Sequence, residues 1–203
     1  QDNLRAALQW TLDAARYGDT VWLMIAANWF WHCCGNRYEQ GKWLAQLLPH
    51  RHTLAADQRM AIVQGVHALA RAWEEFQPVD RWTEEMMQLL EVCPQKLVHA
   101  AAWFWFAIHS TDFSQSAWEQ AISLARAAGE EPALGSEFCL VADRDFILVS
   151  CLWDYAAGLI ERGEVVRATP LVTESLEIFK RRENQYEIAD GLGTLGLLAL
   201  LQG

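Results

Sequence analysis

The sequence predicts an all-α chain, a solenoid built from antiparallel helical hairpins, and three observations carry that expectation. No segment keeps an apolar period of two over a useful length, so strand signals are nearly absent. Helix-length apolar segments alternate instead with short Gly, Asp, Asn or Pro breaks. Finally, the Trp-Phe-Trp triplet of AANWFWHCCGNRYEQ (26–40) returns 74 residues later in AAAWFWFAIHSTDFSQ (100–115). That distance is about two units of a helical-hairpin repeat, since such units run near 34 to 47 residues.

Taken in order, the periodicity places helices over 3–17, 20–34, 37–48, 55–76 and 79–92, then 95–110, 113–128, 137–162, 165–182 and 185–202. Turns between paired helices fall near Gly35, Gln77, Thr111 and Gly163, at spacings of 42, 34 and 52 residues. The long last interval holds GEEPALGS (129–136), which reads as an insertion. Pro94 suits a helix start, where a missing N–H costs nothing. Pro170 suits its position less well: inside the ninth helix it requires a later start or a kink. No low-complexity linker divides residues 1–203, so the expectation is one domain of four to five hairpins, the last one cut in mid-repeat and belonging to a longer protein.

Composition narrows the function. The formal charge of −10, with no basic run longer than Lys180-Arg181-Arg182, disfavours direct nucleic-acid binding and a polybasic membrane contact. The five cysteines, at 33, 34, 93, 139 and 151, follow no disulfide framework and suit a reducing cytoplasm. The longest apolar run, Ala100 to Ile108, is too short to span a bilayer. Eleven tryptophans are present. Burying one removes about 150–250 Å² from water, worth roughly 4–6 kcal/mol gross, so most should be core.

Leu192-x-x-Leu195-Gly196-x-x-Ala199 resembles the first-helix pattern of a tetratricopeptide repeat (TPR), and Leu152-x-x-Tyr155-Ala156-x-x-Leu159 with Ala168, Val172 and Ser175 fits a whole repeat more loosely. The opening DNLRAALQWTLD, then GNRYEQGKWLAQLL and EQAISLARAAGEE, resembles the TPR-like sensor region of bacterial STAND signal-transduction ATPases, including MalT-like LuxR-type regulators. Asn3 to Trp10 match the family's array-opening helix position by position, and Gly35, Glu39, Gly41, Trp43 and Leu44 match the helix that follows. Between 70 and 82, Glu-Glu-Phe-Gln-Pro replaces the family's Gly-Asp turn. The resemblance implies a right-handed superhelix that binds an inducer or partner and relieves autoinhibition of upstream ATPase and winged-helix modules.

Motifs that suggest chemistry dissolve on inspection. His32-Cys33-Cys34 has the wrong spacing for zinc, because adjacent helical residues point about 100° apart. The segment 22–34 is apolar over most of its circumference, which fits an inner helix buried on two sides. GLGTLG (191–196) matches a dinucleotide-binding pattern, but such a loop needs a strand before it, and helical packing of small residues explains it better. The pairs Glu74-Glu75, Glu84-Glu85 and Glu130-Glu131 read as solvated surface. No catalytic residue, metal site or cofactor is expected.

What remains is a groove. The first helix of each hairpin lines the concave side of such an array, and groove-facing residues recur at the 3.6-residue period before each turn. This selects Trp22, Ile25, Trp29 and His32; Gln64, His67, Arg71 and Glu74; Val98, Ala101, Trp105 and Ile108 with His109 beside them; and Ser150 and Trp153. A tryptophan wall with a few polar groups suits a protein, peptide or small-molecule ligand. The same tryptophans equally suit hairpin core. Two readings follow: the sensor module of a signalling ATPase or transcriptional regulator, and a free-standing TPR scaffold holding partner proteins.

Overall fold

The structure is a computed structural model that describes residues 2–33, 37–70, 76, 78–110, 112–128, 144–183 and 185–202, without the side chains of 28–30, 32, 33, 186 and 202. Among the described residues there are ten α-helices and no strand. They are α1 (Asp2–Asp13), α2 (Tyr17–Cys33), α3 (Arg37–Leu47), α4 (Ala56–Leu69), α5 (Asp80–Leu89), α6 (Lys96–His109), α7 (Gln115–Ala127), α8 (Arg144–Glu161), α9 (Val165–Arg181) and α10 (Gln185–Gln202). A 3-10 turn, Leu48–Thr53, with Pro49 in its first turn, joins α3 to α4. The all-α expectation holds. The predicted turns at Gly35, Gln77 and Thr111, and the GEEPALGS loop, lie outside the described residues.

Two boundaries show how the chain turns corners. Helix α8 ends at Gly163, whose φ of 76° is left-handed; the Gly163 N–H donates to the Ile160 carbonyl and the Glu164 N–H to that of Leu159, closing the terminus as a Schellman motif. Helix α1 ends the same way four residues before the predicted 17: Ala15 takes φ 54°, and the Arg16 N–H reaches the Thr11 carbonyl at 2.8 Å. Alanine does not announce such a turn in a sequence, which is why the helix was expected to run longer. Pro170 neither delays nor ends α9, which runs through it.

Each helix packs on its successor, and the even-numbered ones also meet each other, α2 with α4, α4 with α6 and α6 with α8. The apolar interior follows this linear order. One cluster of buried side chains runs from Leu8 to Ala102 and a second from Leu97 to Leu198. They meet at α6, where Val98 and Ala102 belong to the first cluster while Leu97, Ala101 and Phe104 belong to the second. A helix that feeds two cores must be apolar nearly all round, and LVHAAAWFWFAI is. At the start of α8's last turn Phe113 occupies the space a Cβ on Gly158 would need, 2.3 Å from its Cε2, so only glycine permits that approach.

Several contacts between helices recur at one separation. Arg5 on α1 pairs with Glu39 on α3 (Nε–Oε1 2.6 Å), Arg51 with Glu85 on α5 (Nε–Oε2 3.1 Å), and Gln64 Nε2 on α4 reaches the Val98 carbonyl on α6 at 3.5 Å; each pair is 34 residues apart. Arg126 on α7 pairs with Glu174 on α9 at a separation of 48, across the segment containing the predicted insertion. Basic residues at helix starts also meet helix C-termini, where carbonyls lack partners: Arg37 donates to Ala68, Lys96 to Ala127, and Arg144 to Ala125.

Candidate functional site

The even helices α2, α4, α6 and α8 carry the residues selected from the sequence, and three of these form a connected cluster. The His67 ring on α4 lies 5.1 Å from that of His109 on α6, tilted by 41°. His109 stacks on Trp105 at 6.3 Å, and its Nε2 lies 3.1 Å from the His67 carbonyl. Cluster formation follows from helical spacing: Trp105 and His109 are one turn apart, and both face α4 at the level of its last turn.

His67 is 1% exposed. Neither of its ring nitrogens has a hydrogen-bond partner of ordinary geometry among the described residues. Burial therefore pushes its pKa down, the neighbouring His109 pushes it further, and a weak opposing effect of the Trp82 backbone does not restore it; it falls to about 4. At neutral pH this ring is uncharged and acts as a polar plug in the α4–α6 seam. Gln64, one turn earlier, is equally buried; its Nε2 reaches the Val98 carbonyl and its Oε1 has no partner among the described residues.

The selected residues thus occupy three environments. Gln64, His67, Val98 and Ala101 are buried. Trp105, Ile108, His109, Ser150, Trp153 and Ile25 are half-buried, Trp153 with its ring edge-on to Phe179 of α9. Trp22 is exposed. Arg71 and Glu74 lie outside the described residues, as do the side chains of Trp29 and His32, so of the polar row Gln64, His67, Arg71 and Glu74 only the first two are described.

Other expectations meet corrections. Tryptophan is mostly core, as its area suggests, with two exceptions: of nine described, Trp31, Trp43, Trp82 and Trp118 are buried and Trp103, Trp105 and Trp153 pack against the buried clusters, while Trp10 and Trp22 are exposed. The GLGTLG segment is helical, as expected, but only Gly191 is closely packed, 3.1 Å from Leu176 Cδ1 to a built Cβ; Gly193 and Gly196 face open space. Glu85 is not solvated surface. It is buried and held by Arg51 and, at 2.5 Å, by Arg59. Burial alone would raise its carboxyl pKa, but the Arg59 and Arg51 hydrogen bonds outweigh it and the net pKa is lowered. The Arg51 guanidinium also lies over the Trp82 ring, at 5.1 Å from its centroid, with Arg81 at 4.4 Å.

One concave feature was not anticipated. A cleft of about 790 Å³ is lined by residues of α7, α8 and α9, none of which belongs to the histidine cluster. Its only advance signal was the proline inside α9, because Pro170 stands in its wall. No helix of the described residues is long and apolar enough to cross a membrane. Compared with known proteins, the chain matches no family model, no curated protein and no solved structure.

Proposed function

We propose that this chain is the sensing segment of a bacterial STAND-type ATPase or LuxR-type transcription regulator. It is a TPR-like right-handed solenoid that binds a protein, peptide or small inducer on its even-helix face. Occupancy is passed to ATPase and winged-helix modules of the same parent protein in the cytoplasm. The segment itself carries out no catalysis and needs no cofactor.

The observation that supports this reading best is the separation of 34 residues shared by the Arg5–Glu39, Arg51–Glu85 and Gln64–Val98 contacts. A TPR unit is 34 residues long, so equivalent positions of adjacent units meet at that interval. Packing of each helix on its successor, with even helices also touching one another, supports the reading, because a repeat array has such quasi-one-dimensional contacts. Trp22, Trp105, His109 and Trp153, none fully buried, supply aromatic anchors on that layer.

The test is to read the reading frame on both sides of these codons. An upstream P-loop ATPase followed by a winged helix is the expected result. A frame containing only further repeats overturns the switch and leaves the scaffold reading.

A further inference from the structure

Helix α10 is apolar on nearly every side, yet among the described residues its main contact is α9. The side it turns to α9 is filled: Leu198 is buried, Gly191 lies against Leu176, and Ile188 and Leu195 pack beside them. At about 100° per residue, Ala199, Leu192, Gly196, Leu200 and Gly193 occupy the adjoining third of the circumference, and all five are exposed. Leu200 is 81% exposed, and Leu197 and Leu201 extend the apolar surface past it. On α8 the matching positions of the repeat, Leu152, Ala156 and Leu159, are buried, and Trp153 on the same side meets Phe179 of α9. The open sector of α10 thus has the make-up of a helix-packing surface. A helix that caps an array against water carries polar residues there instead, and a contiguous apolar face marks an interaction surface.

The order of residues along this sector selects its complement. Leu192 and Leu200 stand four residues either side of Gly196, and the small Gly193 and Ala199 stand three either side. Run antiparallel to itself, the helix sets Leu192 beside Leu200 of the other copy and small residues against small ones, with two glycine backbones at the crossing. A Cβ built on Gly193 or Gly196 meets nothing within 4 Å, so a second helix can approach closely at that point. Charge permits the same arrangement. The chain carries −10, but the only charged residues of α10 are Glu187 and Asp190, both before the first leucine of the face. Antiparallel pairing sends the two carboxylate pairs to opposite ends, where they do not repel. Two helix faces about 27 Å long and about 10 Å wide cover on the order of 1,000 Å² in total, the low end for a specific interface, so the association should be reversible.

We propose that this face pairs with the same face of a second copy of the chain, α10 antiparallel to α10 about a two-fold axis at Gly196. The contact is isologous, so it closes on itself as a dimer and does not propagate into a filament. It does not rest on the sensor reading, which concerns inducer binding, and it competes with a following helix of a longer array for the same surface.

The test is sedimentation equilibrium on the 203-residue chain, followed by cross-linking in the whole protein encoded by its reading frame. A reversible monomer–dimer equilibrium with Kd of about 10 μM is expected. Leu200→Glu should weaken it at least about tenfold with helical circular dichroism unchanged, whereas Val166→Glu, at the 78% exposed position on α9, should leave it as in wild type. A short bismaleimide should join Gly196→Cys chains to one another through their thiols, in the 203-residue chain and in the whole protein alike, while wild type and Val166→Cys give no such product. A chain monomeric at about 100 μM, an unaffected Leu200→Glu dimer, or assemblies larger than two would each overturn the proposal. So would a cross-link that forms in the 203-residue chain and is lost in the whole protein, because a following helix then holds the face.

Discussion

Replacing His67 by leucine should remove a measurable part of the chain's sensitivity to acid. The folded imidazole has a pKa of about 4 against an ordinary 6.5, because burial and then His109 disfavour its charged form. The unfolded chain therefore takes up a proton below about pH 6.5 that the folded chain refuses until about pH 4. Stability from this group is whole above the unfolded pKa and is lost as the pH falls across that window. Near pH 5 the loss works out at about 2 kcal/mol, rising to about 3 kcal/mol when the transition is complete. With a urea slope of about 2 kcal/mol per M, the wild-type midpoint should drop by about 1 M between pH 7.5 and pH 5 from this residue alone. The assay is urea unfolding followed by tryptophan fluorescence at both pH values, wild type beside His67→Leu. The other titrating groups are common to both chains, so the difference between their two shifts isolates His67. Parallel pH dependences would refute the reasoning, as would a His67 ring resonance titrating near pH 6.5, since either means that the ring is solvated.

Three further substitutions probe the frame. Glu85→Ala strands Arg51 and Arg59, whose side chains are 22% and 28% exposed, so the penalty should lie below that of a fully buried pair, about 2 kcal/mol or roughly 4–8 °C in Tm by calorimetry. Because the Glu85 pKa is lowered, that contribution is present above the ordinary carboxyl range and should fade in wild type as pH falls below about 4.5. Ala15→Gly relieves a left-handed alanine and should raise stability by about 1 kcal/mol in the same unfolding assay; a loss would mean that the turn is held by something other than its backbone. Pro170→Ala returns a donor to the Val166 carbonyl and should stabilise α9 by about 2 kcal/mol in the same unfolding assay, whereas no gain would mean that the helix has already adjusted to the proline.

The helices were legible because their signal is local. Apolar residues at helical period between Gly and Pro breaks located all ten, and Gly163 marked its own turn. Features that depend on neighbouring helices were not. Trp-Phe-Trp occurs at 29–31 and at 103–105, yet Trp31 is fully buried and Trp105 only half so, because α6 divides its faces between two cores. Glu84-Glu85 looks like any acidic surface pair until Arg51, 34 residues earlier, is brought to it by the fold. His67, with Arg71 and Glu74, reads as a polar set in a helix interior, but no single-helix pattern reveals that α6 seals over His67 and Gln64. Pro170 was the exception, a local irregularity that did mark a concavity.

The linear order of the packing has a consequence for how these sites act on one another. Residues of α4 belong to the first buried cluster and residues of α8 and α9 to the second, with α6 shared. Among the described residues, a perturbation in the α4–α6 seam therefore reaches the α7–α9 cleft by way of α6 and the helices packed on it, and where helices touch mainly their neighbours stability is close to a sum of nearest-neighbour terms. The substitutions His67→Leu and Glu174→Gln, the second at the Arg126 pair, should accordingly be additive in stability, since contacts that share no partner add. Coupling between them would require α6 to move as a unit, and among the described residues its two-sided apolar surface, Val98 and Ala102 on one side and Ala101 and Phe104 on the other, joins the two buried clusters through which such a movement would pass.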